Sequence, residues 1–228
     1  MSWFSRVTMT ASTREDRRRL RRLHSDPYQQ HQVLWTLFAR PPGSRQPFLF
    51  RQLLDDDETL RFLLVSEDRP AAGEPGWRVE SKPYSPRCAE GTSYTFNIRV
   101  NPTRSEKSGD GRGKRQDYVI SRLHQLGVTH DERAAARRRI IHEELPSWLA
   151  RRAAGSGFEL GQCTVDRHDV LRVRKDVHDV TLGVAEFSGV LKVSDPERFA
   201  KVLVEGLGHG RGFGLGLLLV RPTASTDT

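Results

Sequence analysis

Tyr28 and His31 stand three residues apart in the stretch Asp26–Phe38. On a helix that spacing puts both side chains on one face, and Trp35 and Phe38 continue the stripe at +4 and +7 from His31. A Tyr–His pair suits acid–base work near neutral pH, because free histidine titrates near ~6.5. The same pattern also describes the polar end of a buried helical face. A second group is the run Gly206-Leu-Gly208-His-Gly210-Arg211-Gly212-Phe-Gly214-Leu-Gly216, with glycine at six of eleven positions. It follows a helical stretch and enters a strand, the reverse of a dinucleotide fingerprint, and no Gly-Lys-Ser/Thr follows as in a P-loop. A tight helix-to-strand turn needs one or two glycines. Six exceed that need, and bare backbone at Gly208, Gly210, Gly212 and Gly214 beside Arg211 lets a phosphodiester chain come close. A third group, Arg172, Arg174 and Lys175, lies at the tip of a long hairpin. A basic β-ribbon can enter a nucleic-acid groove. Asp166, Asp169, Asp176 and Asp179 are interleaved there, so the run also fits a solvated hairpin. Metal chemistry has little to stand on. His142-Glu143 opens an H-E-x-x-H pattern, but Pro146 occupies the second histidine's place. Asp55–Glu58 reads as a solvated turn. No metal and no cofactor is expected.

The elements that must position these groups repeat an order. In the first half, Trp3–Met9 reads as a strand and the charged run Arg14–Leu23 as an extended loop or poor helix. Asp26-Pro27 then starts a helix that should run to about Ala39, stopped by Pro41, Pro42 and Gly43. Phe48–Leu54 and Thr59–Glu67 form two strands around the acidic turn, and Trp77–Tyr84 a further one. In the second half, Tyr94, Phe96, Ile98 and Val100 alternate with polar residues as a half-buried strand does. A Gly-rich basic loop (105–115) follows, then helical sequence over Tyr118–Leu126 and Asp131–Ala154, interrupted near Pro146. Phe158–Arg174 and Val177–Val193 pair as a hairpin, Asp195-Pro196 opens a last helix, and Leu215–Val220 closes the chain as a strand. The second half reads β-α-β-β-α-β, and the first reads the same with its second helix reduced. The fold class is α+β: two tandem ferredoxin-like (RRM-like) domains, residues 1–90 and 91–228.

Charge names the class of partner. Lys plus Arg is 37 against 29 for Asp plus Glu, a net charge of +8, and only six of the basic residues are Lys. That balance points to a polyanion, nucleic acid before an anionic membrane, although Arg-rich usage also follows from GC-rich coding. No apolar run approaches the ~18–20 residues of a membrane helix, so no membrane partner is expected. Two distant cysteines and a start without a signal peptide fit a cytoplasmic protein.

The sequence resembles the CasE-type CRISPR-associated endoribonucleases of the Cascade complex along almost its whole length. Trp3-Phe-Ser-Arg-Val-Thr resembles their opening strand, and Asp26-Pro-Tyr28-Gln-Gln-His31-Gln-Val-Leu-Trp35 their catalytic helix. Phe96-Asn-Ile-Arg-Val-Asn101-Pro102 and Phe187-Ser-Gly189-Val-Leu resemble strands of their second domain. The glycine signature, Gly206-Leu-Gly208 and Gly214-Leu-Gly216 with Arg211 among the five residues between, is the most specific match. The resemblance implies metal-independent cleavage of CRISPR precursor RNA at the base of the repeat stem-loop, by attack of the RNA's own 2′-hydroxyl. His31 matches the family's acid–base histidine and Tyr28 its partner tyrosine. The products would be a 2′,3′-cyclic phosphate and a 5′-hydroxyl, and the enzyme would keep the cut RNA and join the other Cascade subunits. The Arg172–Lys175 hairpin would dock in the stem's groove. Two other readings stay open at this stage: a non-catalytic RNA-binding subunit of the same complex, and a purely structural ferredoxin-like protein.

Overall fold

Alternation of apolar and polar residues buries one face of strand β1 (Ser2–Thr10), with Val7 and Met9 in the core. The computed structural model describes residues 1–41, 43–53, 58–71, 76–106, 114–175 and 178–223. The acidic turn near Asp55, most of the basic loop near Gly109, and the side chains of Arg174 and Lys175 lie outside the described residues. Two helices follow β1: α1 (Arg14–Ser25) and α2 (Pro27–Trp35). Strands β2 (Phe48–Gln52), β3 (Thr59–Ser66) and β4 (Trp77–Tyr84) complete a sheet of order β2-β3-β1-β4. Val7 faces Phe62 across β3 and Val79 across β4, both antiparallel. Phe50, Leu60, Phe62 and Leu64 share a core with Leu20 and Leu23 of α1 and Leu34 of α2.

The run Arg14–Leu23 is a regular helix, not a loop. Thr13 and Asp16 close a capping box: Asp16 N–H donates to Thr13 Oγ1 at 3.1 Å, and Thr13 N–H donates to Asp16 Oδ2 at 2.8 Å. Leu20 and Leu23 bury one side, while Arg14, Arg18, Arg21 and Arg22 stay exposed. The capping pair offsets the run's low hydrophobicity.

The second sheet uses β5 (Ser93–Val100), β8 (Phe158–Lys175), β9 (His178–Val193) and β10 (Leu218–Pro222), in the order β10-β5-β9-β8. Ile98 faces Phe187 on one side and Leu218 on the other. Counted by position within each repeat, both sheets run fourth, first, third, second. That is the ferredoxin-like arrangement, twice. Between β5 and β8 stand a small hairpin of β6 (Thr103–Glu106) and β7 (Lys114–Asp117), then α3 (Tyr118–Leu126), α4 (Arg133–Arg139) and α5 (Leu145–Ala154). The hairpin occupies the ends of the region read as a loop. The break near Pro146 is a π-helical turn over Ile140–Glu144, whose last bond runs from Leu145 N–H to the Ile140 carbonyl, just before a proline with no N–H to give. The last helix, α6 (Pro196–Glu205), starts at Asp195, whose Oδ1 accepts from Arg198 N–H at 3.0 Å.

Glu144 ties the π-helical turn to α3. It accepts from Arg122 Nε at 2.7 Å and from the Tyr118 hydroxyl at 3.1 Å. The Arg122 hydrogen bonds hold its carboxyl below the usual carboxylate range, against the opposing effect of burial. This stabilisation is therefore fully present above the unfolded value of ~4.3 and is lost as pH falls through the lowered folded value. Glu144→Gln is expected to cost about 1 kcal/mol at pH 7. The gap between the thermal melts of the two proteins should narrow as pH falls below the unfolded value of ~4.3 and close only below the lowered folded value; a gap that persists undiminished into acid would refute this account.

Packing divides the chain into two units. One comprises Met1–Arg87, Val173–Val180 and Leu203–Leu217; the other comprises Cys88–Arg172, Thr181–Val202 and Leu218–Thr228. The glycine-rich loop, distant in sequence, thus packs in the unit that holds α2.

Candidate active site

Helix α2 starts where Asp26 Oδ1 accepts the N–H groups of Tyr28 and Gln29 at 3.0 and 3.1 Å, with Pro27 at the first helical position. It ends at Trp35 rather than Ala39. The Thr36 hydroxyl donates to the Val33 carbonyl at 2.7 Å, and the following N–H groups make tighter three-residue bonds. The core face is Pro27, Gln30 and Leu34. Tyr28, His31 and Trp35 form the adjoining stripe and are half-buried. His31 is therefore only partly covered, although its Nε2 is itself buried. Its ring packs 5.7 Å from the Trp35 ring and 5.6 Å from the Phe48 ring on β2.

Buried Gln30, which drew no notice in the sequence, anchors this helix. Its Nε2 donates to the Leu23 carbonyl at 2.6 Å and to Gln52 Oε1 at 2.8 Å. It thereby links α2 to the end of α1 and to the end of β2. Its signal was a glutamine one position before the histidine, on the apolar side of the helix.

The glycine loop leaves α6 and passes through a 3₁₀ turn over Arg211–Phe213 before β10. Its glycine content has a different cause from the one expected. Gly206, Gly208, Gly210, Gly214 and Gly216 all adopt positive φ, between 73° and 91°. The loop's own path thus requires five of the six glycines, so their number alone does not argue for a ligand. Gly212 is the exception: its φ is ordinary, and an added Cβ would meet only Gln46 Oε1 at 3.5 Å. The loop packs directly on β2, where a Cβ on Gly214 would come within 3.0 Å of the Phe50 ring.

Arg211 folds over its own loop and donates to the Gly206 carbonyl at 3.3 Å. Arg211 also lines a cavity of about 170 Å³, together with Arg45, Gln46, Phe48, Ser66 and the two carboxylates Glu67 and Glu205. Phe48 is thus a neighbour both of the His31 ring and of the cavity with two guanidinium groups. Arg45 was not foreseen, since it follows a Pro/Gly stop signal and belongs to no motif. The arrangement provides a proton carrier and, one ring away, donors for an anion.

Arg172 lies exposed on β8. Of the hairpin's acids, Asp169 is paired with Arg167, and Asp166 accepts from the Ser188 hydroxyl at 2.8 Å. The side chains of Arg174 and Lys175 lie outside the described residues, so the predicted basic tip is represented by Arg172 alone.

Comparison with known proteins covers the chain nearly end to end. The family model described as CRISPR associated protein matches residues 2–222. The CRISPR-associated endoribonuclease Cse3 of Thermus thermophilus is 27% identical, over 96% of this chain and all of its own length. The CRISPR system Cascade subunit CasE of Escherichia coli is 24% identical, over 86% of this chain and 92% of its own. Among solved structures, Thermus thermophilus Cse3 bound to an RNA representing a pre-cleavage complex superposes with a TM-score of 0.70 at 25% identity, covering 97% of this chain and 99% of its own. Cas6e from Escherichia coli shares the fold, with a TM-score of 0.62 over 97% of this chain and all of its own. With its two ferredoxin-like sheets and its helix of Tyr28 and His31, the chain belongs to the CRISPR associated protein family.

Proposed function

We propose that this protein is an endoribonuclease that cuts CRISPR precursor RNA at the base of the repeat stem-loop, without a metal, and keeps the product as a subunit of Cascade. The observation that carries this reading is the half-exposed Tyr28–His31 stripe, whose neighbour Phe48 also lines the cavity holding Arg45 and Arg211. The names of Cse3, an endoribonuclease, and CasE, a Cascade subunit, support it.

The chemistry is self-contained. The 2′-hydroxyl oxygen attacks the adjacent phosphorus, giving up its proton. The bond from phosphorus to the 5′ oxygen breaks, and that oxygen takes a proton. A 2′,3′-cyclic phosphate and a 5′-hydroxyl result. His31 moves the proton, a role worth typically ~10²–10⁴ in rate, and Tyr28 assists it. Negative charge gathers on the phosphoryl oxygens in the transition state. The guanidiniums of Arg211 and Arg45, which line one cavity, would meet that charge together with N–H groups of the glycine loop. Dependence on the 2′-hydroxyl restricts the reaction to RNA. Arg172, Arg174 and Lys175 hold the stem through its backbone phosphates.

The test is cleavage of the cognate repeat RNA in excess EDTA, with analysis of product ends. Full activity and cyclic phosphate ends are expected, with no cleavage when the 2′-hydroxyl at the cut site is replaced by hydrogen. Activity lost in EDTA, or retained on the deoxy substrate, would sink the mechanism. A separate measurement addresses the hairpin. Arg172→Ala is expected to weaken repeat binding and to reduce the slope of log affinity against log salt by about one. An unchanged slope would return Arg172 to ordinary solvated surface.

A further inference from the structure

A second cationic site lies in the other packing unit, away from any motif. Arg152, in the last turn of α5, is half-buried. Its guanidinium carbon sits 3.9 Å from the centre of the Trp148 ring, and one of its N–H groups donates to the Thr103 carbonyl at 3.3 Å. The Trp148 indole N–H donates to the same carbonyl at 3.0 Å. Two contacts thus fix the orientation of Arg152. Beside it a cavity of about 450 Å³ is lined by Arg104 and Arg151 and by the polar side chains of Ser105 and Tyr118.

The charge balance of this pocket is one-sided. Among the described residues that line it, none is acidic. Glu144, which accepts from the Tyr118 hydroxyl, is already held by Arg122 through two hydrogen bonds of 2.7 and 3.2 Å. Burial pushes the Arg152 guanidinium pKa down, and the positive charge of Arg151 adds to this. Holding a half-buried cation beside two others without a carboxylate is unfavourable unless an anion completes the set. Guanidinium forks match phosphoryl oxygens in pairs. Trp148, only 2% exposed and covered by Arg152, has no free face on which a base could stack. The pocket can therefore grip a backbone but cannot read a base by stacking.

We propose that Arg104, Arg151 and Arg152 bind a backbone phosphate of RNA, independently of its sequence. This rests on the reading of the protein as an RNA-binding enzyme, and it adds a contact that the Tyr28–His31 helix, glycine loop and basic hairpin do not supply. A free phosphate offers the same oxygens, so the test separates the two sources.

The Trp148 indole N–H resonance, assigned with Trp148→Phe, reports on the pocket. It is followed in the full-length protein on addition of repeat RNA, a scrambled RNA, and inorganic pyrophosphate. The double variant Arg104→Ala/Arg151→Ala removes two exposed side chains and should keep the wild-type melting temperature. Both RNAs are expected to shift the resonance in the wild type. The double variant is expected to abolish the shift and lower the salt slope of RNA binding by about one to two. RNA binding with an unmoved resonance and an unchanged salt slope would overturn the proposal. A shift with pyrophosphate but with neither RNA would overturn RNA as the source. Wild-type protein that ignores repeat RNA but shifts with scrambled RNA would defeat the processing function and leave this site supported.

Discussion

His31→Ala is expected to lower single-turnover cleavage of repeat RNA by ~10²–10⁴, about 3–5 kcal/mol of transition-state stabilisation, while leaving repeat affinity close to wild type. The reason is local. His31 stands off the core face, on a helix held by the Asp26 cap and by the hydrogen bonds of Gln30. Its ring is not a strut of the sheet, although it touches Trp35 and Phe48. Removing it should leave the helix in place, which a thermal melt would verify. On the proposed mechanism affinity comes from phosphate contacts elsewhere, so binding and cutting should separate. A variant that cleaves at the wild-type rate would remove His31 from the mechanism. A variant that loses binding and cleavage together would make it a structural residue.

The second large effect concerns the glycine loop, where two neighbouring substitutions should behave oppositely. Gly216 has φ +91°, and a Cβ there would lie 2.7 Å from the Leu207 carbonyl oxygen. That contact is backbone on both sides, and Leu207 N–H already donates to the Gly216 carbonyl at 2.9 Å. The loop cannot yield without breaking its own closure. Gly216→Ala is expected to cost roughly 1–3 kcal/mol from the backbone conformation alone. The melting temperature should fall by roughly 2–10 °C, and RNA affinity should fall as the loop distorts. Gly212→Ala meets neither obstacle, so its melting temperature should stay level or rise by the equivalent of ~0.4–1 kcal/mol. If the RNA backbone passes close to the loop, Gly212→Ala should still weaken binding. Filter binding and melting curves on both variants decide it. Unchanged RNA affinity for Gly212→Ala would mean that no ligand approaches that glycine.

Much of the fold was legible because its signals are local. Asp26-Pro27 and Asp195-Pro196 announced two helices, and both aspartates cap as their chemistry requires. Alternation in Tyr94–Val100 announced a half-buried strand, and Phe96, Ile98 and Val100 are buried. For Arg14–Leu23 the arginine-rich composition left loop and poor helix open, and the Thr13–Asp16 capping box decides for the helix. The stripe of His31, Trp35 and Phe38 read from spacing does share one neighbour, Phe48, and packing also buries Gln30 and Leu34, which the spacing did not single out. A helix's periodicity shows that it has faces, but only its neighbours decide which face is covered.

The candidate site divides along the same line. Residue types and spacing alone gave the repeated strand order, the Tyr28–His31 pair and the pointer to a polyanionic partner. Each follows from chemistry within a dozen residues or from a sum over the chain. The tertiary structure decided what lies beside them. It laid Gly206–Gly216 against Leu49 and Phe50, placed Arg45 and Arg211 on one cavity, and gathered Arg104 with Arg151 and Arg152. It also gave five of the six glycines a conformational reason, since their positive φ belongs to the loop's own backbone path. Such pairings join residues dozens to well over a hundred positions apart, through side-chain packing that no local period records.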